Sequence, residues 1–570
     1  MFGYQPYASY AWGAVKLAPL AIAEFNDFID SLDAQGVYVV ELRLQKLNST
    51  AGRGSDYAWT SKPWASSPVV IQPDPPKLLY ISDLEWITEP DDPTRPNTWA
   101  YPYLSEKADI ERSLPIVPGS DRRSSQQTGR IGFNNQSGEL SEFIYEYSAD
   151  GQLVRILYGS NRPGTRYNQL KLLSEIYGEE IVDEDGTATL SLRDASFLLD
   201  RELSNVKYTG KGGVGGDGDL AGIPYPIGFG DIFNAIPRLE SREFNIFAVN
   251  RSGIEEFILL KDRGVPITVF ETDAAGSWND LALFQLTVPA GQVAFAPRIG
   301  RFCIGGTLAG DEEYRVDFKG HNLNGYVNQA GPILLEMART LGKIQTNALD
   351  TQSYNGFKTG IISYYFNGDT SPLLSSVYSQ ILGPDNGVFG GLYDRRISLS
   401  QLLSPDDQNH QFELKQENII KLTNVRNPQS VVKKFEISWD YNWGKQSVDS
   451  LAEIVDNDLR TRITRDYDVV KSNLGHVEFT HKSAQDLGVL LGYYKNKVDA
   501  TTAKINMERL YGRQRKLFRL TLPRLGLKLN LGAIIKVHHS DLLSYSGHNF
   551  IIVSRRDIFS SNTVEMLIYG

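Results

Sequence analysis

The sequence predicts a mainly β, multidomain protein with a smaller α+β part. At 570 residues the chain is too long for one hydrophobic core, so we expect about three to five domains. Between residues 128 and 237, short strand-like runs alternate with glycine-rich turns and almost no helical pattern appears. Aromatic residues make up 11% of the chain and glycine contributes 51 residues, which favours β architecture or an interface-rich surface.

Local patterns place the elements of this region. The runs at 131–133, 153–158 and 187–192 have the apolar spacing of strands, and the last of them (TATLSL) alternates with period two. Polar residues at 134–138 predict a turn, and the Asp-Glu-Asp-Gly at 183–186 predicts a hairpin turn. Short strands and turn residues at this spacing indicate a small β-barrel or a sandwich.

Composition narrows the function classes. The net charge of −10 argues against a protein that grips nucleic acid, although it does not exclude DNA passing close by. The single cysteine, Cys303, can form neither an internal disulfide nor a paired-cysteine zinc site, so we expect it to face a core. No apolar run approaches the roughly 18 residues that span a bilayer, which predicts no membrane span.

The first residues do not match a secretory leader. No basic residue precedes Lys16 in the apolar stretch 11–23, and Pro19 interrupts it. We therefore expect the chain to be made and assembled in a cytoplasm. Residues 19–32 instead predict a helix within an N-terminal helical segment, 1–36, which ends at Gly36.

A strand over residues 37–44 opens the first large domain, 37–236, and a proline-rich arm over 48–118 follows it. Proline at this density predicts an extended loop with no central strand, packed on a neighbouring molecule. Four tryptophans in the arm suit an interface, although local packing beneath the loop is an equal alternative. They are Trp59, Trp64, Trp86 and Trp99.

A smaller β domain follows over residues 237–330. Strand and turn patterns at 244–269 and 293–318 predict it, with Gly253 and Gly264 at two of the turns. The glycine run at 210–218 resembles a phosphate-binding loop only superficially. It lacks the Lys-Ser/Thr pair that such a loop needs, so we expect a flexible loop.

Two further domains complete the chain. Helices at 332–341 and 371–382, each with proline in its first turn and glycine after its end, and a strand at 396–402 predict an α+β domain over 331–417. The last domain, 418–570, combines one helix with five strands. We expect the helix at 499–511 and the strands at 431–441, 518–522, 534–538, 550–553 and 564–568, with the last strand paired to the one before it.

The glycine-rich region carries a family resemblance. The segments TGRIGFNNQSGEL, DGQLVRILYG and GTATLSLRDASFLLDRELSNVKYTG are followed by a Gly-x-Pro-x-Pro-x-x-x-Gly pattern, and LKLNLGAIIKVHH lies near the end. The four positions of that pattern are Gly222, Pro224, Pro226 and Gly230. Together these segments resemble the hub proteins at the tail tip or baseplate of tailed bacteriophages, over roughly residues 37 to 570.

The resemblance implies a structural protein of the virion. Hub chains form homotrimers, and each chain carries two tube-type β-barrel domains, expected here at 37–236 and 418–570. Three chains then give six barrels, which continue the lumen of the six-fold tail tube and adapt it to a three-fold tip. The implied partners are other tail proteins: a tube or distal tail ring above, and a spike, fibre or tip protein below. Genomic DNA would pass through the lumen without specific binding.

We predict no catalytic, cofactor-binding or metal site, and no cofactor. His538 and His539 are adjacent in a predicted strand, so they point to opposite faces and cannot share one ion. His476 and His481 lack carboxylates at a matching spacing. Three acids in the arm could form a glycosidase-like pair, but a solvated turn is the stronger interpretation. They are Glu89, Asp91 and Asp92.

One alternative function remains open from the sequence. A receptor-binding or polysaccharide-degrading tail component would stack sugars on its tyrosines and tryptophans, with acids nearby. Such proteins usually show repetitive β-helix or fibre sequence, and this chain has no internal period.

Overall fold

The computed structural model describes most of the chain from Gly36 to Gly570. The predicted helix at 19–32, Trp59 and Trp64 lie outside the described residues. The described residues are 36–47, 76–107, 109–119, 121–162, 164–273, 276–278, 286–308, 310, 312–392, 395–426, 431–558, 561 and 563–570.

The first large sheet forms the first barrel, as the strand-rich sequence at 128–237 predicts. The strands at 131–133, 153–158 and 187–192 are confirmed, and the hairpin turn at 183–186 has Asp185 and Gly186 at positive φ. In spatial order the strands are Lys77–Ser82, Gly36–Lys46, Leu153–Ser160, Lys171–Glu184, Thr187–Arg193, Arg130–Asn134 and Leu104–Glu106, with Tyr147–Ser148 also on the second of them.

One short segment bridges the two edges of this sheet. The Tyr101 amide donates to the Tyr80 carbonyl (2.9 Å), and the Ser82 amide donates to the Tyr101 carbonyl (2.8 Å), so Tyr101 is bonded to the first edge strand. Three residues later, Leu104 pairs with Phe133 on the opposite edge. Because one segment bonds to both edges, the sheet curls into a barrel.

The second large sheet forms the second barrel. Its main path in spatial order is Phe412–Lys415, Ile534–His538, Asn549–Ile558, Thr563–Tyr569, Leu517–Leu522 and Lys421–Val425. Ile110–Ser113 pairs with the third of these strands, and Ser125–Thr128 pairs with Ile110–Ser113. The strands predicted at 518–522, 534–538, 550–553 and 564–568 are all present.

A bent strand closes the second barrel in the same way, because it bonds to both edges of the sheet. Phe412–Lys415 is parallel to Ile534–His538, whereas Lys421–Val425 is antiparallel to Leu517–Leu522. From Ile534–His538 to Lys421–Val425 the sheet makes four antiparallel steps, so these two strands run in the same direction. Lys421–Val425 therefore also runs in the direction of Phe412–Lys415. The chain from 412 to 425 is therefore one strand, bent at the turn Gln416–Asn418, whose two halves bond to opposite edges of the sheet. The predicted boundary at 418 falls inside this bend.

The last strand is central, not an edge. Thr563–Tyr569 pairs with Asn549–Ile558, as predicted, and on its other side with Leu517–Leu522. Its inward side chains Val564, Met566 and Ile568 are at most 1% exposed. The predicted pairing of the last strand with the one before it is confirmed.

The proline-rich arm is not an extended loop in its described part, and that prediction was wrong for residues 76–118. Its prolines lie between short strands, so the strands keep their amide donors. Ile110–Ser113 crosses to the second barrel and pairs with Asn549–Ile558, Arg112 opposite Arg555. Trp86 is 4% exposed, which supports local packing, whereas Trp99 is 44% exposed.

The middle domain is built from two five-stranded sheets around its own core of phenylalanines. In spatial order one sheet holds Val265–Pro266, Ile254–Asp262, Tyr314–His321, Ile227–Ala235 and Ser363–Phe366; the other holds Arg238–Ser241, Ile246–Ala248, Arg301–Ile304, Gln292–Ala296 and Thr268–Thr272. The rings in the core are Phe247, Phe257, Phe295, Phe302 and Phe318.

In the sequence, a helical domain (330–401) and a three-stranded layer with its helices (432–511) precede the strand Leu517–Leu522 of the second barrel. Val432–Trp439 is the centre of this layer, so the strand predicted at 431–441 does not belong to the barrel sheet. Its neighbours are Asp468–Lys471 and Gln485–Tyr494, and helix Lys497–Tyr511 packs on it. The other α-helices of the described residues are Ser141–Glu146, Ala330–Glu336 with a π-helical continuation Met337–Leu341, Thr351–Gly356, Leu374–Leu382, Asn457–Thr464 and Gly475–Thr480.

Two small sheets have two strands each. Trp86–Ile87 pairs with Trp99–Ala100, and Gly387–Gly390 pairs with Ser398–Gln401.

The helix predicted at 371–382 begins three residues late, at Leu374. Ser371 and Pro372 are drawn into tertiary hydrogen bonds instead: the Ser204 amide donates to Ser371 Oγ (2.7 Å), and the Leu203 amide to the Pro372 carbonyl (2.8 Å). Leu373 is the residue before the helix, and its side chain cannot cap it.

Buried side chains of both barrels, the helical domain and the three-stranded layer form one continuous core. The main core of the middle domain is separate from it. The protein is thus a mainly β, multidomain chain whose two barrels contribute to one shared hydrophobic core.

Candidate functional site

Two of the three acids in the arm, Asp91 and Asp92, serve the local fold. Asp92 is 3% exposed and accepts hydrogen bonds from the backbone amides of Thr94, Arg95 (both 2.8 Å) and Tyr167 (2.7 Å). Burial raises its pKa, but these amides outweigh burial and leave the pKa below its usual value. Asp91 forms an exposed ion pair with Arg166. Asp91 and Asp92 therefore connect this turn to the segment around Arg166 and Tyr167.

The adjacent histidines lie at the rim of an open surface cleft of about 480 Å³. His538 Nε2 is 3.2 Å from Glu413 Oε1, and His539 Nδ1 accepts a hydrogen bond from the Asp541 amide. Nowhere in the described ranges do three side chains of His, Cys, Asp or Glu gather closely enough to bind a metal ion. His476 lies in helix Gly475–Thr480 and His481 directly after it.

The glycine run at 210–218 folds into tight turns that use its own amides. The Gly210 amide donates to the Gly215 carbonyl (2.8 Å), and the Gly212 amide donates to the Gly216 carbonyl (2.9 Å). The Asp217 amide donates to the Glu240 carbonyl of the middle domain (2.9 Å). These bonds occupy the donors that a phosphate would need, and they anchor the segment for which the sequence predicts a flexible loop.

Cys303 faces a core, as predicted. It is 5% exposed and its thiol contacts the Phe244 carbonyl oxygen at 3.1 Å. Burial raises the pKa of the thiol to about 11, so the reactive thiolate is scarce at neutral pH.

The strongest candidate for a functional feature is the junction that fixes the two barrels to each other. Lys171, on a strand of the first barrel, reaches the Leu527 carbonyl of the second (3.4 Å). Burial, together with the nearby Arg555 guanidinium, lowers the pKa of Lys171 to about 8. Arg555 forms a buried pair with Asp557 (2.8 Å) in the second barrel.

The crossing strand reinforces this junction. Arg112, within Ile110–Ser113, donates to Ser174 Oγ of the first barrel (2.6 Å) while its backbone pairs with the second barrel. Arg556 on the second barrel contacts Asp109 at 2.8 Å. The junction combines backbone pairing with partly buried charged groups, and it sets the relative orientation of the barrels within one chain.

Large apolar side chains remain exposed on the layer and loops outside the barrels. Such residues suit contacts with other protein molecules when they cluster, and singly they need no partner. Among the described residues, the four most exposed are Ile454 (82%), Phe479 (81%), Leu543 (81%) and Val498 (74%). In the described part of the chain, no helix has both the length and the apolar character needed to cross a bilayer.

Comparisons with known proteins give structural neighbours only. No protein-family model matches the sequence, and no curated protein matches it. Among solved structures, the chain is similar to one from the virion of a native gene transfer agent particle, with 10% identity and a TM-score of 0.39 over 66% of this chain and 92% of that chain. It is also similar to the 43 kDa tail protein of prophage MuSo2 from Shewanella oneidensis (10% identity, TM-score 0.34, 83% and 95% covered). A tail protein from Neisseria meningitidis MC58 is a third neighbour (8% identity, TM-score 0.34, 82% and 95% covered).

Proposed function

We propose that this chain is a structural hub at the tail tip or baseplate of a tailed bacteriophage. Three copies form a ring of six barrels that continues the lumen of the tail tube and adapts its six-fold symmetry to a three-fold tip. The chain acts by its shape, without catalysis or a cofactor. Its place is the virion, after assembly in the host cytoplasm.

This proposal rests on the observation that the chain has two barrels and that both are closed in the same way. In each barrel a single segment runs parallel to one edge strand and antiparallel to the other, Tyr101 to Glu106 in the first and Phe412 to Val425 in the second. A chain with two such units, fixed by a polar junction, supplies two similar positions of a ring. Ring closure by three chains then yields six positions from three identical subunits.

The sequence resemblance indicates a tail-tip or baseplate ring, and the net charge of the chain is compatible with DNA inside that ring. A net charge of −10 repels DNA, so a lumen built from this chain would let the genome pass without holding it. The proposed partners are a tube or distal tail ring on one face and a spike, fibre or tip protein on the other.

The test is the size and shape of the purified protein. Light scattering is expected to give three times the mass of one chain, and electron microscopy a ring with six densities around a central opening. A stable monomer in the presence and absence of the neighbouring tail proteins would contradict the proposal.

A second assay separates the hub from a polysaccharide-degrading component. Purified protein is expected to release no sugar from host polysaccharide, and a variant with Glu89→Gln and Asp91→Asn is expected to behave identically. Release that disappears in this variant would favour the enzyme and contradict the hub.

A further inference from the structure

A buried carboxyl group lies at the joint between the helical domain and the three-stranded layer. Asp385 belongs to the turn Gly383–Asp385, directly after helix Leu374–Leu382, and is 3% exposed. This turn packs against strand Gln485–Tyr494 and helix Lys497–Tyr511 of the layer. The carboxyl group therefore lies where the helical domain and the three-stranded layer pack against each other.

The groups around Asp385 are polar but offer no positive charge. The hydroxyls of Tyr494 and Thr359 face it from the strand and from the segment before Ser363–Phe366, and the Asp499 carboxylate faces it from the helix. Asp385 Oδ2 and both hydroxyl oxygens are buried, and none has a well-directed hydrogen bond within the described residues. Among the described groups that shift the pKa of Asp385, there is no lysine, arginine or histidine.

The same three segments are tied together beside the carboxyl group. The Ile361 amide donates to Asp499 Oδ2 (3.0 Å), and the Lys495 amide donates to the Ile361 carbonyl (2.9 Å). Asp385 therefore lies beside a point where the segment 359–361, the strand end and the helix start are hydrogen-bonded to one another.

An ionised carboxylate without a counter-charge is costly in such a place, whereas the protonated acid is tolerated and can donate a hydrogen bond. Burial, the dominant effect, raises the pKa of Asp385 to about 7, although the Tyr494 and Thr359 hydroxyls act in the opposite direction. Ordinary neutral conditions thus lie close to the point where the group changes charge.

We propose that Asp385 is a proton-operated clamp, which holds the helical domain against the three-stranded layer when protonated and loosens this joint when ionised. The clamp is independent of the proposed role as a hub, because it concerns a joint inside one chain. The direction of the pH effect follows from the linkage between proton binding and folding. The pKa of Asp385 in the folded protein lies above its unfolded value, so the stabilisation is fully present below the unfolded pKa and is lost as the pH rises through about 7.

The first test compares melting temperatures from about pH 4 to about pH 9. Asp385→Asn, an uncharged substitute of the same shape, is expected to melt higher than the wild type by a few degrees above neutrality and to lose most of the decline with pH. The matched control is Asp449→Asn, which removes the same charge from an exposed position and is expected to keep the wild-type profile. An Asp385→Asn profile parallel to that of the wild type would overturn the proposal.

Tyr494→Phe provides a second and opposite check. The tyrosine hydroxyl lowers the pKa of Asp385, so its removal is expected to move the midpoint of the decline to higher pH. A midpoint that stays in place or moves down would count against the clamp.

Hydrogen exchange locates the effect in the structure. At about pH 8, backbone amides at 359–361 and 494–499 are expected to exchange several-fold more slowly in Asp385→Asn than in the wild type. Equal exchange in the two proteins at these amides would show that no joint has been tightened, whatever the melting temperature does.

Discussion

At the scale of single residues, the ion pair between Glu240 and Arg301 supports the middle domain from within. Glu240 is fully buried, and Arg301 binds it through Nε to Oε2 (2.6 Å) and Nη2 to Oε1 (3.0 Å). Glu240→Gln keeps the shape but leaves the Arg301 cation without its counter-charge. We expect a loss of about 3–5 kcal/mol in the free energy of unfolding of this domain, measured by urea denaturation.

A surface pair in the same domain is the control for that measurement. Glu256 and Lys319 are 2.7 Å apart, but both side chains are largely exposed. Because water and salt screen exposed pairs, Glu256→Gln is expected to leave the unfolding curve unchanged. Equal losses from Glu240→Gln and Glu256→Gln would contradict a special role for the buried pair.

At the scale of elements, the bent strand closes the second barrel through backbone groups. The Ile420 amide donates to the Thr521 carbonyl (2.9 Å), while the Ile420 side chain is 61% exposed. Ile420→Pro removes this donor, and we expect a loss of about 1–3 kcal/mol in unfolding free energy together with a new tendency to aggregate through the opened edge. Thermal unfolding and light scattering measure the two effects.

Ile420→Ala separates the backbone from the side chain. It keeps the amide and removes only exposed atoms, so its stability is expected to stay close to that of the wild type. If alanine destabilised the protein as much as proline, side-chain packing would be the cause, and the role of the bent strand in closure would be wrong.

Local sequence patterns predicted most strands but not their distant partners. The alternation at 187–192 marks a strand because every second side chain enters a core, and Asp185 and Gly186 mark its hairpin because both adopt positive φ. Ile110–Ser113 was hidden in a proline-rich stretch, and its partner strand lies more than 400 residues away in the sequence. The charge environment of Asp385 was equally invisible, since its three facing groups come from separate segments.

At the scale of the whole molecule, the two largest of the described cores predict two unfolding transitions. The barrels and the helical domain share one core, and the middle domain has another. Phe302 in the middle domain and Ile535 in the second barrel are both fully buried. Calorimetry is expected to show Phe302→Ala lowering one transition and Ile535→Ala lowering the other, with losses of about 3–5 and 2–5 kcal/mol respectively. A single transition that both variants shift equally would contradict independent cores.

The crossing strand Ile110–Ser113 has a consequence for how such genes can recombine. Because it lies in the first part of the chain yet pairs with Asn549–Ile558, neither barrel is a self-contained cassette. A crossover between related genes that replaced only residues 412–570 would bring in a barrel whose partner strand, and the register of Arg112 opposite Arg555, came from a different parent. Exchange of this kind should succeed only when both segments move together, so the gene regions that encode these two strands are expected to be inherited as a unit.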